Sequence, residues 1–129
     1  MAIKFKVVKR AQAGVKGGGT VKYQAVITGR KVIDTAELSE IISKQCTLQV
    51  SDVRGVLIAL SELMPGILLD GSSVQFENIG IFSPTLDSEL KDTPEEIGEN
   101  TINGLRIRFR ADRKLKKPLK GYDLRRAKE

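Results

Sequence analysis

The sequence contains no histidine, no tryptophan and a single cysteine, Cys46, and only 5% of its residues are aromatic. Without His there can be no Ser-His-Asp triad and no imidazole general base. With one Cys as well, a zinc cluster of the usual nitrogen and sulfur ligands is excluded. Cys46 stands in "IISKQCTL", the setting of a helix end, and reads as a buried structural thiol rather than a nucleophile. A lone cysteine also excludes an intrachain disulfide framework and fits a reducing cytoplasm. Adjacent acids such as Glu95 and Glu96 point apart on a helix or strand, and they read as solvated side chains. No stretch approaches the ~18 uninterrupted apolar residues of a membrane span. The opening "MAIKFKVVKR" alternates charge with apolar residues and lacks the continuous apolar block of a signal peptide. An enzyme is therefore the least expected class. No cofactor, metal, membrane or small-molecule substrate is expected, and the expected location is cytoplasmic.

What is present is charge, and it is segregated. The 129 residues carry 22 Lys and Arg against 16 Asp and Glu, a net of +6. Residues 1–33 hold eight bases and no acid, whereas residues 34–82 and 83–104 each carry a net of −5. Residues 105–129 return to +8. Cationic ends around an acidic middle point to a polyanion-facing surface built from both termini. With 40% hydrophobic residues the chain can build a core, and its length suits one domain or a small domain with an appendage.

Along the chain, "IKFKVVK" (3–9) alternates as a strand with one wet face, and "VKYQAVI" (21–27) reads as a second strand completing a hairpin. The connecting residues 14–20 lack the Lys before Thr20 that a phosphate loop needs, so a mobile hairpin loop is expected there. "DTAELSEIISKQC" (34–46) opens with a cap at Asp34 or Thr35, and Leu38, Ile41 and Ile42 recur at one-turn spacing. The following helix carries Val50, Val53, Leu57, Leu60 and Met64 on one face, and Val56, Leu63 and Ile67 widen the stripe towards a second side. A helix apolar on two sides must be buried on two sides, most simply against a second copy of the chain. Pro65 is expected to kink or end it. Gly71 closes the helix. In "GSSVQFENIGIF" (71–82), Val74 and Phe76 then alternate along a strand that Gly80 bends. "LRIRFR" (105–110) alternates strictly, with Arg106, Arg108 and Arg110 on one side. It runs into "ADRKLKKPLKGYDLRR", where Pro118 should keep the helix around 113–117 short.

Two of these stretches carry a resemblance. The strand Gly71, Val74, Phe76, Asn78, Ile79, Gly80, Ile81, Phe82 is similar to the G-x-x-V-x-L-x-G-F-G-x-F pattern of the HU/IHF family of bacterial histone-like proteins. The run Arg108, Phe109, Arg110, Ala111, Asp112, Arg113, Lys114, Leu115, Lys116 resembles that family's A-F-K-A-G-K-x-L-K. The likeness covers about residues 34–120. The basic N-terminal hairpin, with "KFKVVKR" and later "RIRFR", looks like the longer HU-related proteins of Bacteroidetes-type bacteria. The resemblance implies an α+β, IHF-like DNA-binding fold in which two helices pack under a small antiparallel sheet, with an added N-terminal hairpin and a short C-terminal helix. It also implies an obligate homodimer that binds double-stranded DNA in the nucleoid through a saddle. The family's long basic arms each carry a proline wedge. The expected division is a hairpin extension at 1–33, an HU-like unit at 34–120 and a basic tail at 121–129.

The arm departs from the family pattern. Residues 83–104 are acidic and lack the R-N-P-x-T-G tip, and "TPEE" reads as a helix start with Thr93 as cap, Pro94 first and Glu96 as reciprocal partner. An acidic segment opposes a duplex that carries one charge per ~1.7 Å. The expected DNA contacts are therefore Arg106, Arg108, Arg110, Arg113, Lys114, Lys116 and Lys117, extended by Lys4, Lys6, Lys9 and Arg10, with reduced bending. The alternative is a protein-interaction module on the same fold with DNA binding reduced or lost. RNA is a third option that no exposed aromatic platform marks.

Overall fold

A computed structural model describes residues 2–11, 19 and 21–128. The chain divides into two compact units, Asp34–Pro118 and a second made from both ends, Met1–Ile33 with Leu119–Glu129. Most of the expected loop at residues 14–20 lies outside the described residues.

In the unit of the chain ends, β1 (Ile3–Arg10) pairs antiparallel with β2 (Lys22–Ile27). The expected basic tail supplies a further strand instead. Residues Leu124–Arg126 form the last strand of the chain and lie parallel to β1, with Ile3 opposite Leu124 and Phe5 opposite Arg126. Backbone bonds from Ile3 N to the Asp123 carbonyl (2.7 Å) and from Ala127 N to the Phe5 carbonyl (2.9 Å) fix that register. The hairpin is thus the centre and one edge of a three-stranded mixed sheet.

The unit Asp34–Pro118 opens with α1 (Thr35–Ser43), capped by Asp34, whose carboxylate accepts from the Glu37 N–H at 2.9 Å. The connection to α2 (Val50–Leu69) holds Cys46, which is exposed, contrary to the buried thiol expected of it. Helix α2 also does not end at Pro65 but runs four residues beyond it. The proline removes only its own N–H, which leaves the Ser61 carbonyl without its donor while later bonds re-form. The helix closes in a Schellman arrangement. Gly71 takes φ +82°, its N–H meets the Leu68 carbonyl at 3.0 Å, and Ser72 N reaches back to the Ile67 carbonyl at 3.2 Å.

The segment 74–82 is a tight hairpin rather than one bent strand. β3 (Val74–Phe76) ends in a turn closed by Ile79 N to the Phe76 carbonyl (3.0 Å), with Asn78 left-handed at φ +66°. β4 (Gly80–Ser88) then pairs with β3 on one side and with β5 (Ile102–Ala111) on the other. Gly80 is obligatory. Its φ is +156°, and a Cβ there would stand 2.5 Å from the Arg110 carbonyl oxygen and 2.7 Å from the Phe109 ring.

Pairing assigns the faces of this sheet. Val74, Phe76, Phe82, Phe109, Pro84, Ile107, Leu86 and Leu105 share the apolar face, where Phe76 meets Phe82 edge-on at 5.7 Å and Phe82 meets Phe109 at 4.7 Å. Burial within the chain is thin. Val53 and Leu68 of α2 are the buried apolar side chains among the described residues, while Val56 (60% exposed) and Leu63 (63%) are open. On α1 the buried residue is Ser39, whose hydroxyl donates to the Thr35 carbonyl at 2.6 Å, whereas Leu38 and Ile41 of the expected stripe remain exposed. The architecture is α+β with helices and small sheets, as expected.

Candidate nucleic-acid interface

Strand β5 owes its chemistry to alternation. Opposite residues of an antiparallel pair share a face, so Arg106, Arg108 and Arg110 stand beside Thr85, Ser83 and Ile81 of β4. All three arginines are exposed. The neighbours of Arg106 and Arg108 are small hydroxyl residues, and the Ser73 hydroxyl donates to Ser83 at 2.9 Å within the same layer. Arg106 is partly committed, since its Nη2 donates to Asp87 Oδ2 at 2.9 Å. Arg108 and Arg110 form no ion pair among the described residues.

The strand runs into α3 (Arg113–Lys116), which Asp112 caps by accepting from the Lys114 N–H at 3.0 Å. Asp112 N in turn donates to the Ile79 carbonyl at 2.8 Å, tying the helix start to the β3–β4 turn. Arg110 and Arg113 line one open cleft with Gln75 and Ile81. After Lys116 the chain tightens into a 3-10 turn over Lys117–Gly121 that contains Pro118, so the helix is short as expected. Residues 106–117 thus gather seven Lys and Arg against one acid.

Between β4 and β5 the chain is compact and acidic. Glu89 N bonds the Thr101 carbonyl at 2.9 Å, and Thr101 is buried. Pro94–Glu96 forms a single 3-10 turn, with the Thr93 hydroxyl donating to the Glu96 carboxylate at 3.0 Å. The expected start signal is present, but the helix does not extend past one turn.

The remaining expected contacts, Lys4, Lys6, Lys9 and Arg10, lie on β1 in the other unit. The register of β1 is unbroken through the Val7-Val8 doublet. Lys9 therefore falls on the apolar face with Ile3, Phe5 and Val7, whereas Lys4, Lys6 and Arg10 share the opposite face. That face also receives Lys22 of β2 and Arg125 of the C-terminal strand, two residues the sequence reading left out. Only strand pairing could have found them.

The unit Asp34–Pro118 thus combines two helices with a small antiparallel sheet whose return strand and following short helix are basic. A family model described as "HU domain fused to wHTH, Ig, or Glycine-rich motif" matches residues 1–126, and the chain belongs to that family. No curated protein matches. Among solved structures, the chain is similar to one from Bacteroides vulgatus ATCC 8482, provisionally described as a bacterial DNA-binding protein. The TM-score is 0.62 at 11% identity, over 98% of this chain and 49% of that one. This chain spans about half the length of that protein, and at such identity the likeness is one of fold.

Proposed function

We propose that the chain is a homodimeric, non-sequence-specific DNA-binding protein of the nucleoid, holding duplex DNA through phosphate contacts and bending it little. The observation that carries this reading is the row Arg106, Arg108 and Arg110 on the polar face of β5, continued by Arg113, Lys114, Lys116 and Lys117. Family membership supports DNA as the partner. Dimer formation is supported by the open apolar stripe of α2 and by the exposed Leu105, Ile107 and Phe109 on the other face of β5. Water-exposed apolar rows of that extent call for a covering partner. Weak bending is supported by the acidic connection between β4 and β5, in which Pro94 opens a 3-10 turn.

In this reading the chain has no catalytic role. With roughly 6–10 phosphates neutralised, affinity falls ~10³–10⁵-fold between 50 and 200 mM salt. Fluorescence anisotropy with duplex DNA across that range tests the claim, and salt-independent binding would overturn it. Large bending in an energy-transfer assay would remove the last part alone.

One observation favours a second reading, a protein-interaction module. Leu90 is 98% exposed and Ile97 45% exposed on the acidic connection. Absence of any mobility shift with duplex at low salt and micromolar protein would favour that module.

A further inference from the structure

We propose that the sheet of the two chain ends is a phosphate-binding surface in its own right, gripping the backbone of duplex DNA in addition to the arginine face of β5. The inference rests on the DNA-binding reading above. Lys4, Lys6, Arg10, Lys22 and Arg125 lie on one sheet face, and all five are exposed.

Two features separate this face from a merely solubilising one. Ordinary surfaces intersperse both signs, yet the unit of the chain ends has twelve Lys and Arg against two acids, Asp123 and Glu129. Asp123 lies outside the strands, and no acid falls on the basic face among the described residues. The pairing is also adverse for the sheet itself. Lys4 sits opposite Arg125 and Arg10 opposite Lys22, and like charges directly across a ladder destabilise it. Relief is slight, since Arg10 donates from Nε to the Gln24 side-chain oxygen at 3.2 Å and none of the five cations forms an ion pair among the described residues. Such an arrangement costs stability in the free protein, and a bound polyanion removes that cost.

The geometry fits a duplex. From Lys4 to Arg10 the cations span roughly 20 Å at ~3.3 Å per residue. A B-form helix presents about a dozen charges over that length, at one per ~1.7 Å. An open cleft lined by Lys4, Arg125 and Lys128 extends the basic face at the strand ends. Lys9 faces the apolar side and lies outside this surface.

The test compares two variants of the full chain by anisotropy with a mixed-sequence duplex at several salt concentrations. One is Lys4→Gln/Lys6→Gln/Arg10→Gln/Lys22→Gln/Arg125→Gln, and the other is Arg106→Gln/Arg108→Gln/Arg110→Gln. At ~0.9 per phosphate, the first should flatten the slope of log affinity against log salt by about 3–4.5. The same variant should melt at a higher temperature, because its like-charged pairs are gone. An unchanged slope in the first variant with a flattened slope in the second overturns the sheet surface and leaves the arginine strand standing. Duplex binding by neither variant nor the parent overturns both readings together. If the fivefold variant fails to fold, Lys6→Gln/Lys22→Gln carries the test, with an expected change of about 2.

Discussion

The two units solve opposite problems. Asp34–Pro118 holds ten Lys and Arg against fourteen acids, and its difficulty is apolar surface that the chain alone leaves open. The unit of the chain ends is strongly cationic, and its difficulty is crowding of like charge across paired strands. The comparison teaches that net charge does not identify the proposed binding face. The HU-like unit is acidic in total, yet residues 106–117 concentrate seven of its ten bases. Fold assembly and polyanion attraction are therefore distributed unequally, and each can be perturbed without the other.

The largest expected effect breaks the HU-like unit alone. Leu63→Asp places a carboxylate in the open stripe of α2, where a second copy would have to bury it. The proposed dimer should dissociate, at a cost of about 2–5 kcal/mol. Light scattering coupled to gel filtration should then report the 14.2 kDa chain in place of twice that mass. A dimer that survives this change would show that α2 is not the contact.

Next comes Gly80→Ala, which forces a Cβ against the Arg110 carbonyl and the Phe109 ring. Urea unfolding should lose about 1–3 kcal/mol. The sheet of the chain ends should keep its own protection in hydrogen exchange, which sharpens the claim of two units.

Neutralising the exposed Arg106, Arg108 and Arg110 to Gln should leave the fold intact. It should flatten the salt slope by about 2–3. A fall in affinity with no change of slope would indicate a structural effect instead. Smallest is Asp87→Asn, which frees Arg106 from its 2.9 Å partner. Stability should drop by no more than about 1 kcal/mol, because exposed pairs contribute little. Duplex affinity should rise slightly in the same anisotropy assay.

Periodicity made much of this legible. The arginine row of β5 and the cap at Asp34 follow from local rules, as does the doubly apolar α2, and they appear where those rules place them. The largest miss was non-local. Leu124–Arg126 is three residues long with no alternation to mark it, and its partner strand lies at the opposite end of the chain. Arg125 was invisible on this face for the same reason, whereas Lys22 lies on the expected hairpin and only its register opposite Arg10 assigns it to the face. Ser39 took the buried position on α1 because a small side chain that bonds its own helix allows close approach, a packing fact that a hydrophobic pattern does not encode. At 77–79, Asn78 carried the turn signal, but the alternation on either side masked it.

The parallel ladder between Ile3–Phe5 and Leu124–Arg126 sets a timetable for folding. An entire HU-like unit separates its two strands, and closing so long a loop before contacts form costs entropy. Pairings this distant in sequence form late. During synthesis on the ribosome the HU-like unit has its residues in hand first, while the N-terminal hairpin waits with one edge bare until the last strand emerges. Premature termination after Pro118 would release a protein whose helices are complete and whose cationic sheet never closes.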